Sequence, residues 1–130
     1  LSWRQKNIRA QGHVLEIRIN AEDPSRNFLP CPGRVQNYLP PGGPGIRVDS
    51  HLYSGYVIPP YYDSMLAKII VQGASREQAI ARARGALQEL VIEGVTTNRD
   101  FALQLLSMPD FVSGNYHSST VEEKIKAGEL

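Results

Sequence analysis

The stretch VLEIRINAED, residues Val14 to Asp23, alternates strictly in character. In an extended chain, Val14, Glu16, Arg18, Asn20 and Glu22 point one way, and Leu15, Ile17, Ile19 and Ala21 point the other. A strand over residues 13–21 with one apolar and one polar face is expected, and no other strand in the sequence is so clearly marked. Downstream, DPSRNFLPCPG is too rich in Pro, Gly, Asn and Ser for a regular element. A short strand at 34–38, a PPGGPG loop at 40–45 and a strand at 46–49 are expected next. The loop SGYVIPPYYDS then leads into MLAKIIVQG, whose β-branched apolar run reads as a buried strand.

At Ser75 the periodicity becomes helical. SREQ matches a capping box, with Ser75 accepting from the amide of Gln78 and Gln78 reaching back. Ala79, Ile80, Ala83, Ala86, Leu87, Leu90 and Val91 make one apolar stripe, and Gly94 is the expected stop. A second helix is expected from Thr97 or Asn98, carrying Phe101, Leu105 and Leu106 and ending before Pro109, with a short third helix over 120–126. Strands followed by helices indicate an α+β fold: an antiparallel sheet from the N-terminal half with helices from the C-terminal half packed on it.

The 130 residues suffice for a single domain over 1–130 with a real core and fall short of two ordinary ones. A net charge of +1, from 14 basic and 13 acidic residues, creates no field to gather nucleic acid or anionic lipid. The basic run WRQKNIR is short and reads as a solvated leading segment. The single cysteine, Cys31, excludes an intrachain disulfide. With no signal peptide or long apolar span, a cytoplasmic setting is expected, and a removed transit peptide would equally allow the mitochondrial matrix or a plastid.

Several chemistries lack their residues. PPGGPG has neither the Lys-Ser/Thr of a P-loop nor dinucleotide spacing, and its prolines remove amides that would cradle an anion. His13, His51 and His117 are far apart and share one cysteine, so no metal site is expected. No GxSxG, SxxK or HExxH occurs. Two stretches remain. Arg18, flanked by Glu16, Asn20 and Glu22, stands either in a solvated ladder of opposite charges or in a wall where a permanently protonated fork meets negative charge developing on an oxygen. Spacing does not separate the two. In PPYYDSMLAKII, two prolines set an approach loop, two tyrosines offer amphipathic rings, and Asp63 stands where the buried strand begins, as a turn residue or as a carboxylate that holds an arginine.

GHVLEIRINAEDPSRNFLPCPGRV, GIRVDSH, PPYYDSMLAKII and ALQELVIEGVTTN, in that order, closely resemble the C-terminal domain of biotin carboxylase, shared by acetyl-CoA, propionyl-CoA and pyruvate carboxylases. The resemblance implies an enzyme, an ATP-dependent ligase that uses MgATP and bicarbonate to form carboxyphosphate and carboxylates the ureido nitrogen of biotin on a carrier. It also implies a biotin carboxyl carrier domain and a carboxyltransferase as partners. Neither the glycine-rich lid of the upstream ATP-grasp domain nor its EMNTRIQVEHP strand is present, and the start at Leu1 suggests that the chain begins just past them. By itself the chain is therefore expected to be inactive and to hold no cofactor.

On the same resemblance, Arg18 lies against the ureido oxygen of biotin, where an enolate-like charge appears, and Asp63 orients Arg18. Arg47 of GIRVDSH matches an arginine at the interface of the bacterial homodimer. Pro44 departs from the pattern, replacing an aromatic three residues earlier, and so removes the kind of anchor that dominates interfaces. SGNYHSSTVEEKI fits loosely the segment that closes the adenine pocket, without pointing to one residue. Two rival readings are a structural module for assembling a multidomain carboxylase and an ATP-grasp ligase that does not use biotin.

Overall fold

The computed structural model describes residues 2–130. The chain runs through β1 (His13–Asn20), β2 (Glu22–Asp23), β3 (Leu29–Pro30), β4 (Gly33–Arg34), β5 (Asn37–Leu39), β6 (Ile46–Ser50), β7 (Val57–Ile58) and β8 (Met65–Gly73). After these come α1 (Arg76–Glu89), β9 (Val91–Glu93), α2 (Arg99–Leu105), α3 (Pro109–Ser113) and α4 (Thr120–Ala127). The expected α+β arrangement of an antiparallel sheet with following helices is observed.

The main sheet has the order β1-β8-β6, so the apolar strand β8 is central and β1 is an edge. Both pairings are antiparallel and place Leu15, Val71 and Ile46 in one row, and Ile17, Ile69 and Val48 in the next. That face is covered by α1, whose Ala83, Ala86 and Leu87 are buried with Leu90 and with Ala102 and Leu106 around α2. Ser75 caps α1 as expected, accepting from the Gln78 amide at 3.2 Å. Gln78 reaches one residue further back than a standard capping box, its Oε1 accepting from the Ala74 amide at 2.6 Å.

A smaller core of Ala21, Val35, Leu52, Ile58 and Leu66 lies beyond the end of the sheet. Its position depends on an irregularity in the β1–β8 ladder. The register runs His13↔Gly73 through Ile19↔Ala67, then shifts so that Asn20 faces Met65. Leu66 is the extra residue: plain alternation would place it on the face of Lys68 and Ile70, and at the shift it is instead buried in the second core.

Three expectations need correction. The stretch DPSRNFLPCPG, expected to hold no regular element, contains β3, which pairs with β2. The strand at 34–38 is broken into β4 and β5, because the Val35 amide donates to the Tyr56 carbonyl while the Gln36 amide donates to the Glu93 carbonyl: the chain changes partners between them. The helix stops at Glu89 instead of running to Gly94, since Leu90 turns extended and residues 91–93 pair with β5. Val91 thus belongs to a strand and not to the helix stripe. α2 does end before Pro109 as expected, and Pro109 in turn opens α3, where its missing amide costs nothing.

Gly94 has φ +95°, and a Cβ built there would sit 2.4 Å from the Arg34 carbonyl oxygen and 3.0 Å from the Gln36 nitrogen. Its role is the close approach that lets β9 meet β5. Gly94→Ala is expected to destabilise the chain by roughly 1–3 kcal/mol through strain and forced separation, measured by urea unfolding; an unchanged midpoint would contradict this.

Candidate functional site

The other face of the main sheet carries the polar residues of VLEIRINAED. Pairing places Arg18 opposite Lys68, which faces Asp49, while Glu16 stands opposite Ile70, which faces Arg47. Charges of both signs therefore form two short rows across the three strands.

Two arginines on this face are used differently. Arg47 is bidentate to Asp49, Nε to Oδ1 at 3.1 Å and Nη2 to Oδ2 at 2.8 Å. Hydrogen bonding to Asp49, reinforced by its charge, holds the Arg47 guanidinium above the usual arginine range. Arg18 makes one long contact, Nε to Glu16 Oε1 at 3.4 Å, and its side chain is 67% exposed. Glu16 is also 4.0 Å from the Lys68 ammonium, so its charge is shared. Solvated pairs of this kind contribute about 0–1 kcal/mol and leave a guanidinium free to exchange partners. Among the described residues, the terminal nitrogens of Arg18 donate to nothing, so the planar fork that suits a carboxylate or an enolate oxygen is unspent.

Beside this fork lies a tighter network. Glu22 Oε1 accepts from Asn20 Nδ2 at 3.0 Å and from the Ser64 hydroxyl, which ties β1 and β2 to the loop before β8. Asn20 Oδ1 is buried without a hydrogen-bond partner among the described residues. The PPYY segment is exposed at its tyrosines. It borders an apolar cleft of about 370 Å³, lined by Ala21, Leu29, Pro30, Ile58, Pro60 and Tyr62 among others.

Among the described residues, Asp63 forms no ion pair or hydrogen bond with Arg18. Its Oδ1 accepts from the Met65 amide two residues on, at 2.7 Å, fixing the first residue of β8. Such local side-chain-to-backbone bonding competes with longer-range pairing, and here it takes up the carboxylate oxygen. Reading the residues also missed Asn98 and Ser64. Ser64 lies in the quoted PPYYDSM motif, but its bond to Glu22 spans 42 residues and has no periodic signature. Among the described residues, no three His, Cys, Asp or Glu side chains gather as metal ligands, and no helix is long and apolar enough to cross a membrane.

The model of the biotin carboxylase C-terminal domain family matches residues 16–123. The chain belongs to that family. This biotin carboxylase C-terminal domain is 53% identical over 122 residues to biotin carboxylase 1 of Bacillus subtilis, covering 94% of the chain and 27% of that protein. It is 46% identical over 121 residues to the chloroplastic biotin carboxylase of Arabidopsis thaliana, covering 93% and 22%. It thus spans about a quarter of the length of these curated relatives. Among solved structures, it matches the biotin carboxylase domain dimer of the Hydrogenobacter thermophilus 2-oxoglutarate carboxylase, in complex with MgADP, ADP and bicarbonate. The TM-score is 0.92 at 39% identity, covering 100% of this chain and 29% of that one. The Rhizobium etli pyruvate carboxylase matches with a TM-score of 0.90 at 36% identity, covering 94% and 12%.

The two carboxylates of the polar face should behave differently. Glu22→Ala strands a carboxamide and a hydroxyl, and is expected to cost about 1–3 kcal/mol, whereas Glu16→Ala should cost under about 1 kcal/mol. Thermal unfolding of both variants checks the order; a loss for Glu22→Ala no larger than for Glu16→Ala would contradict it.

Proposed function

We propose that this domain supplies one wall of the biotin site in an ATP-dependent carboxylase, with Arg18 donating to the ureido oxygen of carrier-bound biotin. The observation that carries this reading is the contrast within one sheet face: Arg47 is spent on Asp49, while Arg18 keeps its terminal donors free at a position fixed by strand pairing. As the ureido nitrogen loses its proton, negative charge grows on the oxygen. A guanidinium that stays protonated meets that charge without any proton transfer of its own.

The residues here fit that part of the reaction and not the rest. The described side chains offer no cluster that would bind magnesium, so no step through the metal is assigned to them. We place MgATP and bicarbonate, present as MgADP and bicarbonate in the 2-oxoglutarate carboxylase relative, on an ATP-grasp domain outside this chain. Asp63 acts at most through the loop it fixes, upstream of β8. The carrier domain and a carboxyltransferase would be partners of the complete enzyme.

Arg18→Ala in a complete biotin carboxylase carrying this domain is expected to lower biotin carboxylation on the order of a hundred- to a thousandfold. Because the side chain is exposed, Tm should move by no more than a few degrees. Equal turnover would remove the catalytic assignment. The 130-residue chain alone is expected to turn over no ATP with bicarbonate.

A second reading, assembly, is favoured by the exposed Arg47–Asp49 pair on the edge strand β6 and by the dimeric state of the 2-oxoglutarate carboxylase relative. If it holds, Arg47→Ala shifts the sedimentation profile toward smaller species with turnover per intact complex preserved. An unshifted profile would count against it.

A further inference from the structure

Because β1 is an edge strand, the backbone groups on its outer side have no neighbouring strand. Exposed groups of this kind usually go to water or to a chance partner. At the C-terminal end of the strand, three such groups meet one residue. Asn98 Oδ1 accepts from the Asn20 amide at 2.9 Å, Asn98 Nδ2 donates to the Arg18 carbonyl at 3.1 Å, and the Asn98 amide donates to the Asn20 carbonyl at 3.2 Å. The carboxamide thus substitutes for a missing strand over the two residues that end the polar face. It does so just where the β1–β8 register shifts between Ile19 and Asn20.

The sequence position makes this costly for the helix that follows. Asn98 occupies the N-cap of α2, where an asparagine oxygen would normally accept from an amide in the first turn and contribute about 1 kcal/mol. It makes no such bond. The first helical amide, that of Arg99, has only a 3.4 Å contact to Thr97 Oγ1. The carboxamide is committed to β1 at the expense of its own helix. Arg99 fixes the junction from the other side, its Nη1 donating to the Leu90 carbonyl at the end of α1 at 3.0 Å.

We propose that Asn98 is a positioning residue for Arg18: by binding the Arg18 carbonyl and the Asn20 amide together, it sets the direction in which the guanidinium leaves the strand. This rests on the assignment of Arg18 to the biotin ureido oxygen. The physical warrant is that Arg18 has little else to hold it. Its side chain is mostly solvated and its one ion pair is long, so the accuracy of the fork depends on the backbone at its root. A displacement of about 1 Å at a reacting group can cost on the order of a hundredfold in rate.

The experiment is a double-variant cycle in a complete biotin carboxylase carrying this domain, using Arg18→Ala, Asn98→Ala and the two combined. Biotin carboxylation, ATP cleavage with bicarbonate in the absence of biotin, and Tm are measured for each. If Asn98 acts through Arg18, Asn98→Ala lowers kcat for biotin carboxylation on the order of ten- to a hundredfold and leaves the KM for ATP and the biotin-free ATP cleavage unchanged. The combined variant is then no slower than Arg18→Ala alone. Asn98→Asp keeps the acceptor for the Asn20 amide but sets an oxygen against the Arg18 carbonyl, so it should not restore the rate. A fall in Tm with unchanged kcat, or losses that multiply in the combined variant, would make Asn98 a structural prop and overturn the proposal. If Arg18→Ala is harmless, the assignment of Arg18 falls and this proposal falls with it. If Arg18→Ala is damaging and Asn98→Ala is not, only this proposal fails.

Discussion

The structure depends on the pairing of β1 with β8 in a single register. Strand β8 is buried in the centre of the sheet, contributing Ala67, Ile69 and Val71 to one core and Leu66 to the other. A slip of one residue along β1 would exchange the two sets of side chains, placing Glu16 and Arg18 against α1 and Ile17 and Ile19 in solvent. Burial of each apolar side chain contributes about 1.5–3 kcal/mol, and a buried unpaired charge costs several more. The register is therefore fixed by apolar residues, and the position of the polar ones follows from it. The location of Arg18 is set by Ile17 and Ile19.

The single shift in that register links the two cores. Without the extra residue at Leu66, the ladder would continue past Ile19 and the small core of Ala21, Val35, Leu52 and Ile58 would lack a side chain from β8. With it, the chain bends away where β1 gives way to the Asn20–Glu22–Ser64 network and to the loop held by Asp63. Bulges of this kind commonly lie beside functional sites because they re-aim side chains without disturbing the rest of the sheet.

This pattern explains what the sequence made legible. Alternation in β1, the β-branched run of β8 and the Ser75 cap of α1 are local signals, and each was readable because the apolar face and the cap residue lie within a few positions of one another. The Gly94 stop failed because the end of α1 is decided by Arg99 donating to the Leu90 carbonyl and by β9 pairing with β5, whose residues lie more than fifty positions upstream. For Asp63 the legible signal was its place at the start of the strand, where its Oδ1 accepts from the Met65 amide two residues on. Asn98 was visible only as a helix-start residue, and its bonds reach back 78 and 80 residues. The role proposed for Arg18 rests on resemblance to a family, because periodicity places a side chain on a face and does not say what meets it.

The exposure of Arg18 bears on how a single guanidinium would work in catalysis. Two unit charges about 4 Å apart attract by about 1 kcal/mol in water and by about 4 kcal/mol at the effective dielectric near a protein surface. At 67% exposure, the fork stands near the first limit. A donor whose backbone root is fixed gains strength when water is removed around it, and removing water costs less for a guanidinium than for an ammonium because it is more weakly hydrated. On the proposed reading the two requirements are divided. This domain supplies the position through β1, and a second surface closing over the polar face supplies the dry environment. The charge is then strong only when the site is assembled with biotin inside, which would confine the stabilisation of negative charge to the moment when the ureido oxygen carries it.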